Sequence, residues 1–253
     1  MQKAVAILTM LAGAGACAAT QAGPGPVPAW PHLTITGENT PPTSMFVDGK
    51  PAGRQTDKVH EMLDRVGVPH SIDILPWKRA YMMAQRDALT CVYSTTRTPE
   101  REKQFKWVGP MVEIDWVLMG RADRKFHLRT LEDARTLRIG TYNGDARDEY
   151  LKSRGFNVDP VQNDASNPDK LLLNRIDLWA VAARPDLDMA RELGRDGQFV
   201  PVLVFNRVRL YLACNPTVPD RLVDRMNAMF DTMRRDGTFA RIDRRYQDAT
   251  AEK

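Results

Sequence analysis

The sequence has little of what metal and redox chemistry requires. Its 253 residues include 3 cysteines and 4 histidines. Neither the cysteines nor His32, His60, His70 and His127 show the paired spacing of a zinc ligand set. Cys-x-x-Cys does not occur, so a thioredoxin-like redox centre is not expected. Also missing are a Gly-x-Ser-x-Gly elbow, a Walker loop and His-Glu-x-x-His, and with them the enzyme classes those motifs mark. No metal and no cofactor is expected. Charge of one sign is not segregated either. The formal net charge is +4, yet between Val218 and Lys253 8 Arg/Lys interleave with 7 Asp/Glu. That mixture describes a solvated surface rather than the basic stripe of a nucleic-acid-binding protein.

Long apolar runs are missing beyond the amino terminus. There, Lys3 precedes an uncharged run over residues 4–19, with Ala14, Ala16, Ala18, Ala19 and Ala22 crowding its end. A positive start, a short apolar core and small residues at the exit describe a secretory signal peptide. The run is shorter than the roughly 20 residues of a membrane-spanning helix. Residues 1–22 are read as that peptide, with cleavage between Ala16 and Ala22 and a periplasmic destination. Cys91 and Cys214 remain after processing. In an oxidising compartment they either pair or stay as buried thiols, and spacing alone does not decide which.

What is present is an alternation of strand-like and helical patterns, which predicts βαβ units and largely parallel sheets. Strands are expected at 32–36, 71–75 and 88–93. A helix with Val59, Met62, Leu63 and Val66 on one face ends at Gly67, and another runs over 78–85. A second block follows, with strands at 117–119, 137–142, 178–183, 199–205 and 209–213. Its helices are expected after Asp145, after Asn167-Pro168 and over 185–193. The tail is helical, with Leu222, Val223, Met226, Met229, Phe230 and Met233 on one face, read as plain core. Residues 110–116 and 206–208 are the expected hinges, and the tail is expected to pack back on the first block.

The sharpest local feature is Ser94-Thr95-Thr96-Arg97-Thr98-Pro99-Glu100-Arg101, which starts where a strand ends. Thr98-Pro99 reads as a helix start, placing Arg101 in the first turn, where a cation opposes the helix dipole. Two readings are open: amides, hydroxyls and guanidinium face one anion, or Arg101 pairs with an acid such as Glu38. Trp77 follows a strand at the same sheet edge, as a flat wall for a ligand or as core. Tyr142-Asn143-Gly144-Asp145 forms the corresponding turn of the second block, where Asp145 is an N-cap or a ligand contact.

Taken in order, these pieces resemble the bacterial extracellular solute-binding family 3, within the type II periplasmic solute-binding proteins. The carriers are Pro41-Pro42 with Asp48-Gly49-Lys50 and Gly53, Pro76-Trp77-Lys78-Arg79-Ala80, and Thr98-Pro99-Glu100-Arg101-Glu102. They continue with Phe105-Lys106-Trp107-Val108-Gly109-Pro110, Arg138-Ile139-Gly140, Gly144-Asp145 and Asp236-Gly237-Thr238-Phe239. The resemblance implies an α/β, two-lobed Venus-flytrap fold with mostly parallel sheets. Lobe one would comprise residues 23–115 plus 208–253, and lobe two residues 116–207. It further implies that Arg101 and Thr96 hold a ligand carboxylate, that Ser94 contributes where Gly is commoner, and that Trp77 lines the pocket. The turn from Tyr142 to Asp145 would face the cleft, and Glu38 is counted among the candidate ligand contacts. One departure stands out. Amino-acid binders carry an acid shortly after the position of Asp177, and residues 178–183 here contain none. Tyr142 and Asp145 then supply another arrangement, or the ligand lacks an ammonium.

The function expected is capture of a small polar, carboxylate-bearing solute by a monomeric binding protein serving an inner-membrane ABC permease, without catalysis. An orphan sensor, or a dehydratase-like enzyme using Glu38 or Asp145 as general acid/base, is the alternative.

Overall fold

A computed structural model describes residues 29–183 and 197–251 of the chain. The expected signal segment and the helix expected over 185–193 lie outside the described residues. The chain begins with β1 (Leu33–Gly37), a short hairpin of β2 (Met45–Val47) and β3 (Lys50–Ala52), and α1 (Arg54–Val66). It continues through β4 (His70–Ile74), α2 (Trp77–Arg86) and β5 (Thr90–Thr96) into β6 (Lys106–Arg121). Then come β7 (Ile139–Tyr142), α3 (Ala146–Ser153), β8 (Val158–Val161), α4 (Asn167–Leu172), β9 (Leu178–Ala183) and β10 (Phe199–Cys214). Two helices, α5 (Asp220–Arg235) and α6 (Thr238–Ala251), close the chain. Among the described residues no helix is long and apolar enough to cross a membrane.

The large sheet has the order β4-β1-β5-β10-β6-β9-β7-β8. Its outer parts, β4-β1-β5 and β9-β7-β8, are parallel, as βαβ units require. The middle is not: β10 runs antiparallel to both β5 and β6, and β6 antiparallel to β9. Both segments expected as hinges lie inside long strands. Residues 110–116 lie within β6 and residues 206–208 within β10, so the two crossings are continuous strands paired with each other. Their alternating apolar side chains keep both in the ladder, and three register shifts absorb the irregularity in β10.

Period-two alternation divides each block into two faces. In the first, Leu33, Ile35, Cys91 and Tyr93 point to one face, where Val59, Met62 and Leu63 of α1 meet Leu222, Met226, Phe230 and Met233 of α5. The tail therefore packs on the first block. Val92 points to the other face, against Trp77, Ala80 and Ala84 of α2. In the second block, Val117, Met119, Trp179 and Val181 face Leu171 of α4. Leu118, Ile139, Leu178 and Ala180 face Leu151 of α3. The two cysteines sit directly opposite each other on β5 and β10 and form a disulfide, with Cα atoms 4.0 Å apart. The helix expected after Pro99 is a single 3-10 turn, Glu102–Gln104, with Arg101 as its N-cap. The β-forming run that begins at Phe105 enters β6 at once and leaves no length for an α-helix, so the dipole argument made for Arg101 does not hold.

Candidate functional site

The carboxyl ends of β1, β4, β5 and β7 converge, and the residues that follow them meet between the two blocks. This is the edge where open α/β sheets place their ligands. From the first block come Glu38 after β1, Trp77 opening α2, and Ser94 to Arg101 from the end of β5 onward. From the second come Tyr142 to Asp145, on the turn between β7 and α3.

Four hydrogen bonds join the blocks here. The Tyr142 hydroxyl lies 2.6 Å from Glu38 Oε1. Trp77 Nε1 donates to the Gly144 carbonyl at 3.2 Å. Arg101 Nη2 donates to Glu149 Oε2 at 2.8 Å and reaches the Gly144 carbonyl at 3.4 Å. Gly144 has φ 77°, and a Cβ there would touch nothing within 4 Å. The glycine therefore serves the left-handed turn that presents its carbonyl to both donors.

Arg101 is 2% exposed, while its partner Glu149 keeps half its side chain in solvent. The guanidinium stacks over Tyr81, 4.8 Å from the ring centroid. Its acid partner is Glu149 of α3, not Glu38. Among the described residues, Arg101 Nε is buried without a hydrogen-bond partner, and so is Ser94 Oγ. Buried polar atoms are nearly always satisfied, and two orphans at one strand end mark a place where a polar molecule would complete the set. Ser94 holds φ 57°, a left-handed conformation that a β-strand residue avoids unless it is glycine. Thr96 is buried at the end of the same strand, beside Leu210 of β10.

The second block offers a charged cluster. Asp145 caps α3, accepting from the Arg147 backbone N–H at 2.8 Å and from Arg147 Nε at 2.6 Å. Arg147 is buried, lies 3.9 Å from Asp164, and donates to the Ala180 carbonyl at 3.4 Å. Burial alone would raise the Asp145 carboxyl, but the charge and hydrogen bonds of Arg147 hold it below its ordinary value. Glu38 behaves in the opposite way. Burial pushes it from 4.5 to about 7, with the charges of Asp145 and Asp164 adding to the rise, against the Tyr142 hydrogen bond and the Arg147 charge. Burial and the Glu38 carboxylate in turn raise Tyr142 well above the usual phenol range. Asp177 lies elsewhere, paired with Arg138 and Arg124.

Of the seven expected residues, Glu38, Trp77, Arg101 and Tyr142 make the contacts between the blocks, Ser94 and Thr96 lie near the end of β5, and Asp145 caps α3. Tyr81, Arg147, Glu149 and Asp164 were not expected. Tyr81 stands four residues after Trp77 and Glu149 four after Asp145, a helical spacing that shares a face and would have marked both. Arg147 and Asp164 carry no such sign.

Comparison with known proteins agrees with this architecture. A histidine kinase sensor domain with similarity to periplasmic binding proteins matches with a TM-score of 0.75 at 20% identity, over 85% of this chain and 95% of that one. An arginine third transport system periplasmic binding protein from Legionella pneumophila matches with a TM-score of 0.68 at 19% identity, over 85% of this chain and 99% of that one. An ancestral amino acid-binding protein, a precursor of cyclohexadienyl dehydratase, matches with a TM-score of 0.69 at 17% identity, over 85% of this chain and 94% of that one. At these identities the likeness is one of fold: mixed α/β, two lobes and a large, mostly parallel sheet. No curated protein sequence matches this chain. The family model for bacterial extracellular solute-binding proteins, family 3, matches residues 33–249, and the chain belongs to that family.

Proposed function

We propose that this chain is a periplasmic solute-binding protein that captures a small carboxylate-bearing ligand by closing its lobes and passes it to an inner-membrane ABC permease. The moving bodies are residues 23–115 with 208–253, and residues 116–207. One observation carries the reading: Arg101 is 2% exposed between the blocks, and its Nε has no partner among the described residues. A guanidinium is permanently charged and presents a planar fork that matches a carboxylate. The ligand carboxylate would take Nε and compete with Glu149 for Nη2, with Ser94 Oγ and Thr96 supplying hydroxyls. Trp77 and Tyr81 wall the site with aromatic surface. Tyr142 and the Asp145–Arg147–Asp164 cluster receive the ligand's other end, in place of the acid that the stretch after Asp177 lacks.

A thermal-shift screen of amino acids, organic acids and small peptides identifies the ligand, because binding to the native state alone raises Tm. Calorimetric titration of Arg101→Ala with that ligand then tests the site. Truncating one partner of a buried charge pair costs about 2–5 kcal/mol, so affinity falls at least ~30-fold while the ligand-free variant stays folded. Full affinity in Arg101→Ala would remove Arg101 from the site.

Glu38 favours a second reading. A cleft carboxyl with a pKa of about 7 suits general acid/base work at neutral pH, and one of the similar structures is a precursor of a dehydratase. Incubation with prephenate or arogenate, followed for product, separates an enzyme from a binding protein. Turnover that is lost in Glu38→Gln replaces the first reading.

A further inference from the structure

A second cluster lies at the opposite edge of the first block's sheet, beside the amino end of β4. His60 and Asp64 stand four residues apart on α1 and share its exposed face, and His70 is the first residue of β4. The connection between helix and strand is short and tied down. Gly67, at φ 76°, donates to the Asp64 carbonyl, and the Val68 N–H donates to the Leu63 carbonyl at 3.0 Å, with Val68 itself buried. Helix and strand therefore present these side chains from a fixed frame.

His70 Nδ1 lies 2.8 Å from the Val68 carbonyl, which can only accept, so Nδ1 carries the proton. His70 Nε2 is 2.8 Å from His60 Nδ1. Asp64 Oδ2 stands 3.7 Å from the same His60 nitrogen, and all three candidate ligand atoms fall within 4.8 Å of one another. An imidazole oriented through its other nitrogen by a backbone carbonyl is the arrangement metal-ligating histidines adopt. In a tetrahedral zinc site with bonds of about 2.0–2.1 Å, neighbouring ligand atoms stand about 3.3 Å apart. The two nitrogens need to separate by about half an ångström, Asp64 Oδ2 to approach His60 Nδ1 by about 0.4 Å, and its separation from His70 Nε2, no more than 4.8 Å, to shorten by up to about 1.5 Å. Half-exposed side chains make such adjustments by χ rotation, and both His60 and Asp64 are 58% exposed.

We propose that His60, Asp64 and His70 form a three-ligand site for a divalent transition metal of the Zn2+ class, remote from the solute cleft, with one coordination position left to water. Two neutral imidazoles and one carboxylate are the donor set that such borderline cations select, and the set is too poor in oxygen for Ca2+ or Mg2+. The sequence alone gave no reason to expect it, because only His60 and Asp64 are close along the chain.

The test is calorimetric titration of tag-free protein with ZnCl2 near neutral pH, repeated with MgCl2 and with the variants His60→Ala, His70→Ala, Asp64→Asn and Arg101→Ala. The expected result is one equivalent of Zn2+, no Mg2+, a loss of at least tenfold in each cluster variant, and unchanged Zn2+ affinity in Arg101→Ala. Circular dichroism of each variant checks that the fold is kept. Unchanged Zn2+ affinity in His60→Ala and His70→Ala, or no Zn2+ binding by the parent protein, overturns the proposal and leaves a histidine–histidine hydrogen bond. Because Arg101 belongs to the other site, loss of solute binding and loss of metal binding are read separately.

Discussion

Single positions in this chain combine strain with chemistry, and Ser94 is the clearest. Its left-handed φ of 57° costs about 1 kcal/mol relative to glycine, and its buried Oγ bonds nothing among the described residues. Ser94→Gly is therefore expected to raise Tm by a few degrees while weakening ligand binding several-fold, as read by thermal melts and titration. A variant that gained stability without losing affinity would make the hydroxyl dispensable. Glu38 makes a second prediction at this scale. Its folded-state pKa of about 7 lies above the ordinary 4.5, so between those values the folded form holds a proton that the unfolded form has released. Stability contributed by the protonated acid is full below about pH 4.5 and lost as pH rises through 7. Glu38 faces the Tyr142 hydroxyl and the side chains of Asp145, Asp164 and Arg147. The ligand-free protein should melt higher at pH 5.5 than at pH 7.5, and Glu38→Gln should flatten that difference. An unaltered slope in the variant would assign the effect elsewhere.

Among the elements, the two long strands β6 and β10 contain both segments expected as hinges. Each belongs to both blocks, since β10 pairs with β5 at one end and β6 with β9 at the other. Bending a paired ribbon is a different motion from rotating about two free linkers, and the register shifts in β10 are where the ladder yields. The Cys91–Cys214 disulfide fastens β10 to β5 at the end away from this region and closes a sequence separation of 123 residues. A loop of that length constrains the unfolded chain by about 3–5 kcal/mol in the chain-entropy account. Replacing both cysteines by serine should lower the unfolding free energy by that order, measured by denaturant melts, and leave ligand affinity within a few-fold. A large loss of affinity would mean that the bond also sets the site's geometry.

For the molecule as a whole, the contacts Arg101–Glu149, Trp77–Gly144 and Glu38–Tyr142 join the two blocks. A ligand carboxylate at the Arg101 fork would compete with Glu149. Since Glu149 is half exposed, solvent screens the pair, and its loss is worth about 1 kcal/mol, or roughly a fivefold shift toward the open form. Small-angle scattering of ligand-free Glu149→Gln should show a larger radius of gyration than the parent, with saturating ligand restoring the compact value. Identical profiles would show that this bridge does not govern closure.

The local grammar of the chain determined a great deal by itself. Period-two and period-3.6 patterns, with Gly67 and Gly144 at their turns, were enough to expect a two-block α/β fold, and the family resemblance carried by pieces such as Pro76-Trp77 and Thr98-Pro99-Glu100-Arg101 named candidate site residues, of which Glu38, Trp77, Arg101 and Tyr142 make contacts between the blocks. Those signals are legible because propensity and burial act over a few residues. Only the tertiary structure decided what distant segments do to one another. It paired Arg101 with Glu149 rather than Glu38, joined Cys91 to Cys214, paired β6 with β10 along their length, and brought His70 to His60 and Asp64. Each of these depends on distances between elements separated along the chain, which packing sets and local pattern does not encode.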